Sequence, residues 1–319
     1  NQFSAPTPRK TWNTMPTESI VPKRQKTNTG GTLDAGAELS FKIVFHQTGA
    51  IKQMIDIVGA ILGRVLFSIV PGEGESLLLN IDTVDPHHIC IVQARISCDG
   101  SLFEEDVSFC LDSKVLNMCL KNVSSQQCVE LVQTKKSADV VMRTCDALSM
   151  EEVLRFELNT YDQEAEKMPL DEIAYDFHTE VNIPELKRMI KLGSDLKAPD
   201  IGFEVCQTPK NAAGACTSVV FISGKGDAAF RRRLPTASKT DDGSGAITVD
   251  VAQADGCKLI KMYDARFTLD YLNKFVRAME HTLLTMKLGA ESPLLIEYDL
   301  GTPQSFVRFV LAPKMEEAS

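Results

Sequence analysis

Past residue 172 the pattern of the chain starts again, and that restart limits the folds open to it more than any other feature. Ile51-Lys-Gln-Met-Ile55 opens an amphipathic helix, with Ile51, Met54, Ile55, Val58 and Leu62 on one stripe and Lys52 and Asp56 off it. Leu186-Lys-Arg-Met-Ile190 opens another after a β-like run. Further along each half a second helix follows. Leu111-Asp112 precedes Val115-Leu-Asn117, and Leu269-Asp270 precedes Tyr271-Leu-Asn273. Two helices per half, in the same order and flanked by strands, predict an internal duplication.

Between the first pair of helices the chain reads as short strands: Leu77–Ile81, Ile89–Ile96 and Val107–Leu111. The second helix runs from Leu111 to Val123, with Asp112 or Ser113 as its N-cap. Cys128–Gln133, Val140–Thr144 and Leu154–Leu158 follow as strands. Residues 159–172 show neither period and are strongly acidic, which is a linker composition. Residues 239–245 consist of turn formers and read as an exposed loop. Residues 1–38 are rich in Pro, Thr, Asn and Gly and offer too little apolar surface to offset ordering, so a disordered tail is expected there. The predicted division is a tail over 1–38, a first domain over 39–157, a connector over 158–174 and a second domain over 175–319.

Charge matters here through its distribution. The chain carries 34 Lys/Arg and 43 Asp/Glu, a net of −9. The tail holds five basic and three acidic residues, which leaves −11 on the rest. That balance excludes a protein coated all over by nucleic acid, but not one that meets it along a single lined face. Basic residues do collect on the outer faces of the four helices. Lys187, Lys191 and Ser194 form one stripe at i, i+4 and i+7, flanked by Arg188. Lys114, Asn117 and Lys121 form another, Lys274 and Arg277 lie opposite Tyr271, Leu272, Phe275 and Val276, and the first helix offers Lys52. Lysines and arginines so placed meet phosphates without reading bases. They are the candidate DNA contacts, although exposed helix faces carry lysine in many proteins.

Enzyme chemistry finds less support. His87 and His88, near Asp82 and Asp85, are the only histidine pair, and neighbours on a strand point to opposite faces. Ser223-Gly-Lys-Gly226 lacks P-loop spacing and reads as a hairpin. The nine cysteines are scattered with no CxxC, which predicts reduced core thiols rather than zinc ligands or disulfides. No cofactor, metal or catalytic residue is expected. No run of 18 apolar residues and no secretory pattern occurs, so neither a membrane span nor a signal peptide is expected. Lys23-Arg24-Gln25-Lys26 has the look of a nuclear import signal, and equally of an ordinary basic cluster in a solvated tail.

Several stretches resemble the proliferating cell nuclear antigen family of DNA sliding clamps. The strongest are Pro293 to Tyr298 and Phe309 to Glu317 near the end of the chain. Leu269 to Phe275 is similar to that family's last helix, Val84 to Val92 to its first-domain loop, and Ile51 to Met54 to its first helix. The resemblance runs from about Phe41 to Glu317. It implies an α+β fold with two similar clamp domains per subunit, helices lining the inside and antiparallel sheets outside, and three identical subunits closed in a ring in the nucleus.

The implied role is a processivity factor for DNA polymerase and a platform for replication and repair proteins, holding duplex DNA without sequence preference. The clamp loader and other clamp-motif proteins would be its partners. The family's partner pocket carries over as Val84 and Ile89, Met168 and Pro169, Pro293, and Leu311, Ala312 and Pro313. Ring closure would join Val153–Asn159 to Ala228–Pro235, with Arg155, Glu157, Arg231 and Arg233 at the joint and Arg231-Arg232-Arg233 set against Glu151, Glu152 and Glu157. The chain departs from the family at Glu166-Lys167 before Met168, at Val310 in place of an aromatic, in Ala215 to Val220, and in its tail and 239–245 insertion. Two further readings stand beside this one: a subunit of a heterotrimeric damage-checkpoint clamp, and a metal-dependent nucleic-acid enzyme using His88 and Asp85.

Overall fold

The computed structural model describes residues 38–74, 76–104, 107–163, 173–207, 218–234, 236–237, 260–280, 283–289 and 292–314. The tail over 1–37, the pocket candidates Met168 and Pro169, most of the connector and the 239–245 insertion lie outside the described residues.

The first half runs β1 (Leu39–Phe45), α1 (Thr48–Gly59), β2 (Arg64–Pro71), β3 (Leu77–Val84), β4 (Cys90–Leu102), β5 (Ser108–Asp112), α2 (Ser113–Lys121), β6 (Gln127–Thr134), β7 (Val140–Asp146) and β8 (Glu152–Leu158). The second runs β9 (Phe177–Asn182), α3 (Ile183–Asp195), β10 (Asp200–Gln207), β11 (Ser218–Lys225), β12 (Ala229–Arg233), β13 (Thr236–Ala237), β14 (Ile260–Thr268), α4 (Leu269–Arg277), β15 (Leu283–Leu288), β16 (Leu294–Asp299) and β17 (Phe306–Leu311). A strand, a helix, a group of strands, a helix and three strands occur in that order twice. The fold is α+β, and every recorded strand pairing is antiparallel.

Pairing does not stop at the linker. β17, the last strand of the chain, lies beside β4 of the first half, from Phe306 opposite Arg95 to Leu311 opposite Cys90. One sheet of 13 strands therefore spans both halves, and β10, β11, β12 and β14 form a second sheet. α1 packs beside α2 and α3 beside α4. Their apolar stripes lie in the core, where Ile51, Met54, Ile55 and Val58 are fully buried and Phe275 stacks on Phe309 at 4.1 Å between ring centroids.

Caps set the helix boundaries more narrowly than periodicity does. The Asp112 carboxylate accepts from the amides of Lys114 (2.9 Å) and Val115 (3.0 Å), so α2 begins at Ser113 rather than Leu111. Asn182 accepts from the Glu185 amide at 3.0 Å and starts α3, with Pro184 in its first turn. α1 starts three residues earlier than Ile51 and stops at Gly59, which leaves Leu62 buried in the turn behind it. β11 and β12 form a hairpin, and Ser223 to Gly226 lies at the end of β11 and its turn, as a glycine-rich hairpin sequence predicts.

Candidate functional site

The four helices carry eight lysines and arginines against four acidic residues, a net of +4 on a chain whose total is −9. The eight cations sort into three environments. Lys114 and Lys121 on α2, Lys191 on α3 and Arg277 on α4 are exposed, and no carboxylate among the described residues pairs with them. Arg188 and Lys274 are held by neighbours on their own helices: Arg188 forks onto Glu185 at 3.0 and 3.1 Å, and Lys274 meets Asp270 at 2.6 Å. Lys52 and Lys187 are half-buried, and their amines donate to backbone carbonyls of the adjoining helix segment. Asn117, which periodicity placed on the same stripe as Lys114 and Lys121, donates to the Asp56 carboxylate at 2.9 Å and ties α2 to α1.

A second, buried apolar cluster forms where the two halves meet. Val84, Ile91, Val310 and Leu295 sit directly opposite one another on β3, β4, β17 and β16, one apolar row across four strands. They form a cluster apart from the main core, with Ile173 and Tyr175 from the end of the connector packed over it. Of the pocket residues expected from sequence, Val84 belongs to this row, while Leu311 faces the other way and is 0 % exposed in the main core. Period-2 alternation explains it: residues 309 and 311 of β17 point into the main core, and Val310 points to the opposite face, where it is 3 % exposed beneath Ile173 and Tyr175. Ile89 likewise packs on the main core. Pro293 and Pro313 are half-buried and Ala312 is exposed. The segment after β17 is pinned on both sides. The Ala312 amide donates to the Ile89 carbonyl (3.0 Å), the Lys314 amide donates to that of Arg266 (2.8 Å), and the Lys314 amine reaches Asp200 (3.2 Å).

The loop between β3 and β4, which carries Val84 and Ile89, is latched to α4. Asp85 is 1 % exposed. Its carboxylate accepts from the Tyr271 hydroxyl (2.6 Å) and from the amides of Cys90 (2.6 Å), Ile89 (2.8 Å) and His87 (3.0 Å). Burial opposes its ionisation, but the Tyr271 hydroxyl and these amides outweigh that and hold the carboxyl below its usual value. Asp85, read from sequence as a possible metal or acid-base group, is the anchor of a loop. Burial pushes the Cys98 thiol up to about 12 and Cys110 to about 11, and the seven described cysteines are free and buried, as scattered core thiols should be.

Among the strands that end a sheet, β8 and β12 are the two the sequence places at a joint between subunits. β8 pairs only with β7, and β12 only with β11. Val153 and Leu154 on β8 are 56 % and 39 % exposed, and Leu148 and Met150 just before it are exposed as well. On β8, Arg155 lies 3.9 Å from Glu157, and Glu152 lies 3.7 Å from Arg143; Glu151 is exposed. On β12, Arg231 forks onto Glu204 and lies 3.6 Å over the Phe221 ring, while Arg232 meets Glu185 at 2.8 Å. Arg233 is half-buried on the same strand. The Arg231 guanidinium holds the Glu204 carboxyl below its ordinary value, so part of the charge expected to face a neighbour is engaged within the chain.

No known family model matches the sequence. Among solved structures the fold is similar to that of proliferating cellular nuclear antigen from Entamoeba histolytica, with a TM-score of 0.64 at 18% identity, covering 87% of this chain and all of that one. It is similar as well to PCNA from Thermococcus kodakaraensis, with a TM-score of 0.64 at 17% identity over 86% of this chain and all of that one. At this identity the likeness is one of fold: the chain has a PCNA-like clamp fold.

Proposed function

We propose, from that clamp fold, that the chain is one subunit of a homotrimeric DNA sliding clamp acting in the nucleus as a polymerase processivity factor and as a platform for replication and repair proteins. The division into two clamp domains joined by a connector over 158–174 belongs to the same proposal. The observation that carries it is the placement of a net +4 on two side-by-side helix pairs of an otherwise acidic chain. Cations on helices attract phosphates without fixing a register, and each contact is weak, so the protein is held near the duplex yet free to move along it. The edge strands β8 and β12 would close the ring by pairing between subunits, which removes two unpaired edges per chain.

Retention on DNA tests this function. The chain is incubated with linear duplex, both ends are then blocked with a bulky protein, and the DNA is washed at salt high enough to screen ion pairs. A clamp stays on the blocked duplex and leaves when an internal site is cut. Loss in the wash before cutting rules out encirclement. The checkpoint-clamp alternative draws on one observation: Arg231 and Arg232 are tied to Glu204 and Glu185 of their own chain, which leaves fewer cations on β12 for an identical neighbour's acidic strand.

The partner pocket is assigned to the row Val84, Ile91, Leu295 and Val310 with its Ala312 to Lys314 margin, where an apolar anchor takes the place of Ile173 and Tyr175 over the row and the neighbouring backbone extends as a strand. Val310→Ser should weaken a clamp-motif peptide by roughly 1–3 kcal/mol and, because Val310 is 3 % exposed beneath Ile173 and Tyr175, should lower the melting temperature as well. Leu311→Ser should cost the fold about 2–4 kcal/mol, because it opens a cavity in the main core. Calorimetric titration reads the affinity, and thermal melts read the cost to the fold. A peptide affinity unchanged by Val310→Ser moves the pocket elsewhere.

A further inference from the structure

Lys52 is the fifth residue of α1 and Lys187 the fifth residue of α3. Each reaches across its helix pair to the same place. The Lys52 amine donates to the carbonyl of Val123, two residues past the end of α2. The Lys187 amine donates to the carbonyl of Met279 (2.7 Å), two residues past the end of α4, and to that of Arg277 (3.3 Å). These carbonyls lie at or just past the ends of α2 and α4, where the negative end of each helix dipole falls, so an ammonium group is favoured there. The residues that close α2 and α4 are Lys121 and Arg277, at the ninth position of each helix, and both are exposed.

We propose that Lys52 and Lys187 are positioning residues that clasp the carboxyl ends of α2 and α4, and that the phosphate contacts are made by Lys114, Lys121, Lys191 and Arg277. This rests on the DNA-clamp reading and narrows it from eight cations to four. The clasped amines have their hydrogen bonds directed into the protein, and turning to a phosphate would break the bonds to Val123, Arg277 and Met279. The exposed four have no such cost. Two of them project from the helix ends that the clasps hold still, so the clasps act on DNA only through the placement of Lys121 and Arg277.

Limited acetylation of the full chain by an N-hydroxysuccinimide ester, read by mass spectrometry with and without a mixed-sequence duplex oligonucleotide at low salt, tests the assignment. Lys114, Lys121 and Lys191 are expected to label fast and to be slowed by the duplex. Lys52 and Lys187 are expected to label slowly and equally with or without it. Variants supply the second arm. Lys121→Ala with Arg277→Ala should make the plot of log affinity against log salt shallower by about 1 for each phosphate-binding cation removed, without a change in melting temperature. Lys52→Met with Lys187→Met should lower the melting temperature and leave that slope in place. If the methionine pair does not fold, the labelling contrast decides alone. Protection of Lys52 and Lys187 by the duplex, or a slope that disappears with them, overturns the clasp assignment. A wild-type chain with no salt-dependent duplex binding overturns the DNA-clamp reading beneath it.

Discussion

With Val153 and Leu154 both replaced by lysine, the chain is expected to stay folded and to sediment as a monomer under conditions where the unmodified chain is a trimer. Both side chains are exposed on β8, whose outer edge has no partner among the described residues, so neither contributes much to the fold of one chain. In a ring they would face β12, which carries Arg231, Arg232 and Arg233 in a row. Lysines there remove two apolar side chains and place like charges across the joint, and charged edges are how proteins prevent strand pairing. The loss should be at least about 3 kcal/mol per joint, roughly a hundredfold or more in the dissociation constant. Sedimentation or light scattering reads it directly. A variant that remains trimeric shows that β8 is not the joint.

Asp85→Ala should be the most damaging single change outside the apolar core. It leaves the amides of His87, Ile89 and Cys90 facing a buried space without an acceptor, and the Tyr271 hydroxyl with only the His87 Nδ1 at 3.4 Å. Each buried donor left unpaired costs about 1–3 kcal/mol before relaxation, so a total of about 3–5 kcal/mol is expected. Tyr271→Phe removes one of the four bonds and should cost about 1 kcal/mol. The pH dependence has a definite sign. The folded carboxyl lies below its ordinary value, so its contribution is complete above the unfolded value of about 3.9 and is lost as pH falls through the folded value. The stability gap between the native chain and Asp85→Asn should therefore be constant near neutrality and close only in acid below about pH 4. A gap that widened on acidification would contradict an ionised Asp85. The latch also joins a loop beside Val84 to the helix that carries Lys274 and Arg277, so its loss should disturb the partner row and the basic helix face together.

The parts of this fold that sequence reveals are those in which one periodicity meets one buried face. All four helices are legible because a single apolar stripe packs on the core, and the repeated order of their opening residues shows the duplication. β1 is not legible, because it lies between β4 and β6 and buries residues on both faces, which erases alternation. For β2 a signal does exist, in the alternation of Val65, Phe67 and Ile69. The candidate site divides similarly. Periodicity places Lys114, Lys121, Lys191 and Arg277 on open helix faces, but it reports a direction and not where a long side chain ends. Lys52 and Lys187 look the same as the others by spacing and differ because a carbonyl of another segment stands within reach. Resemblance implies Leu311 for the pocket; Leu311 lies in the main core, and the pocket we propose uses its neighbour Val310, which pleat alternation turns to the other face. The cross-strand row that Val310 joins depends on β17 lying beside β4, a pairing of residues more than 200 positions apart that no local pattern encodes.

The most direct measurement is the mass of the full chain in solution at micromolar concentration. One chain weighs 35.1 kDa. A closed ring of three gives a single species of about 105 kDa that persists on dilution, as a cyclic assembly with all three joints closed should. A mass that remains at 35.1 kDa across the same range contradicts the homotrimeric ring and leaves the chain either without a ring or in need of different partner chains to complete one.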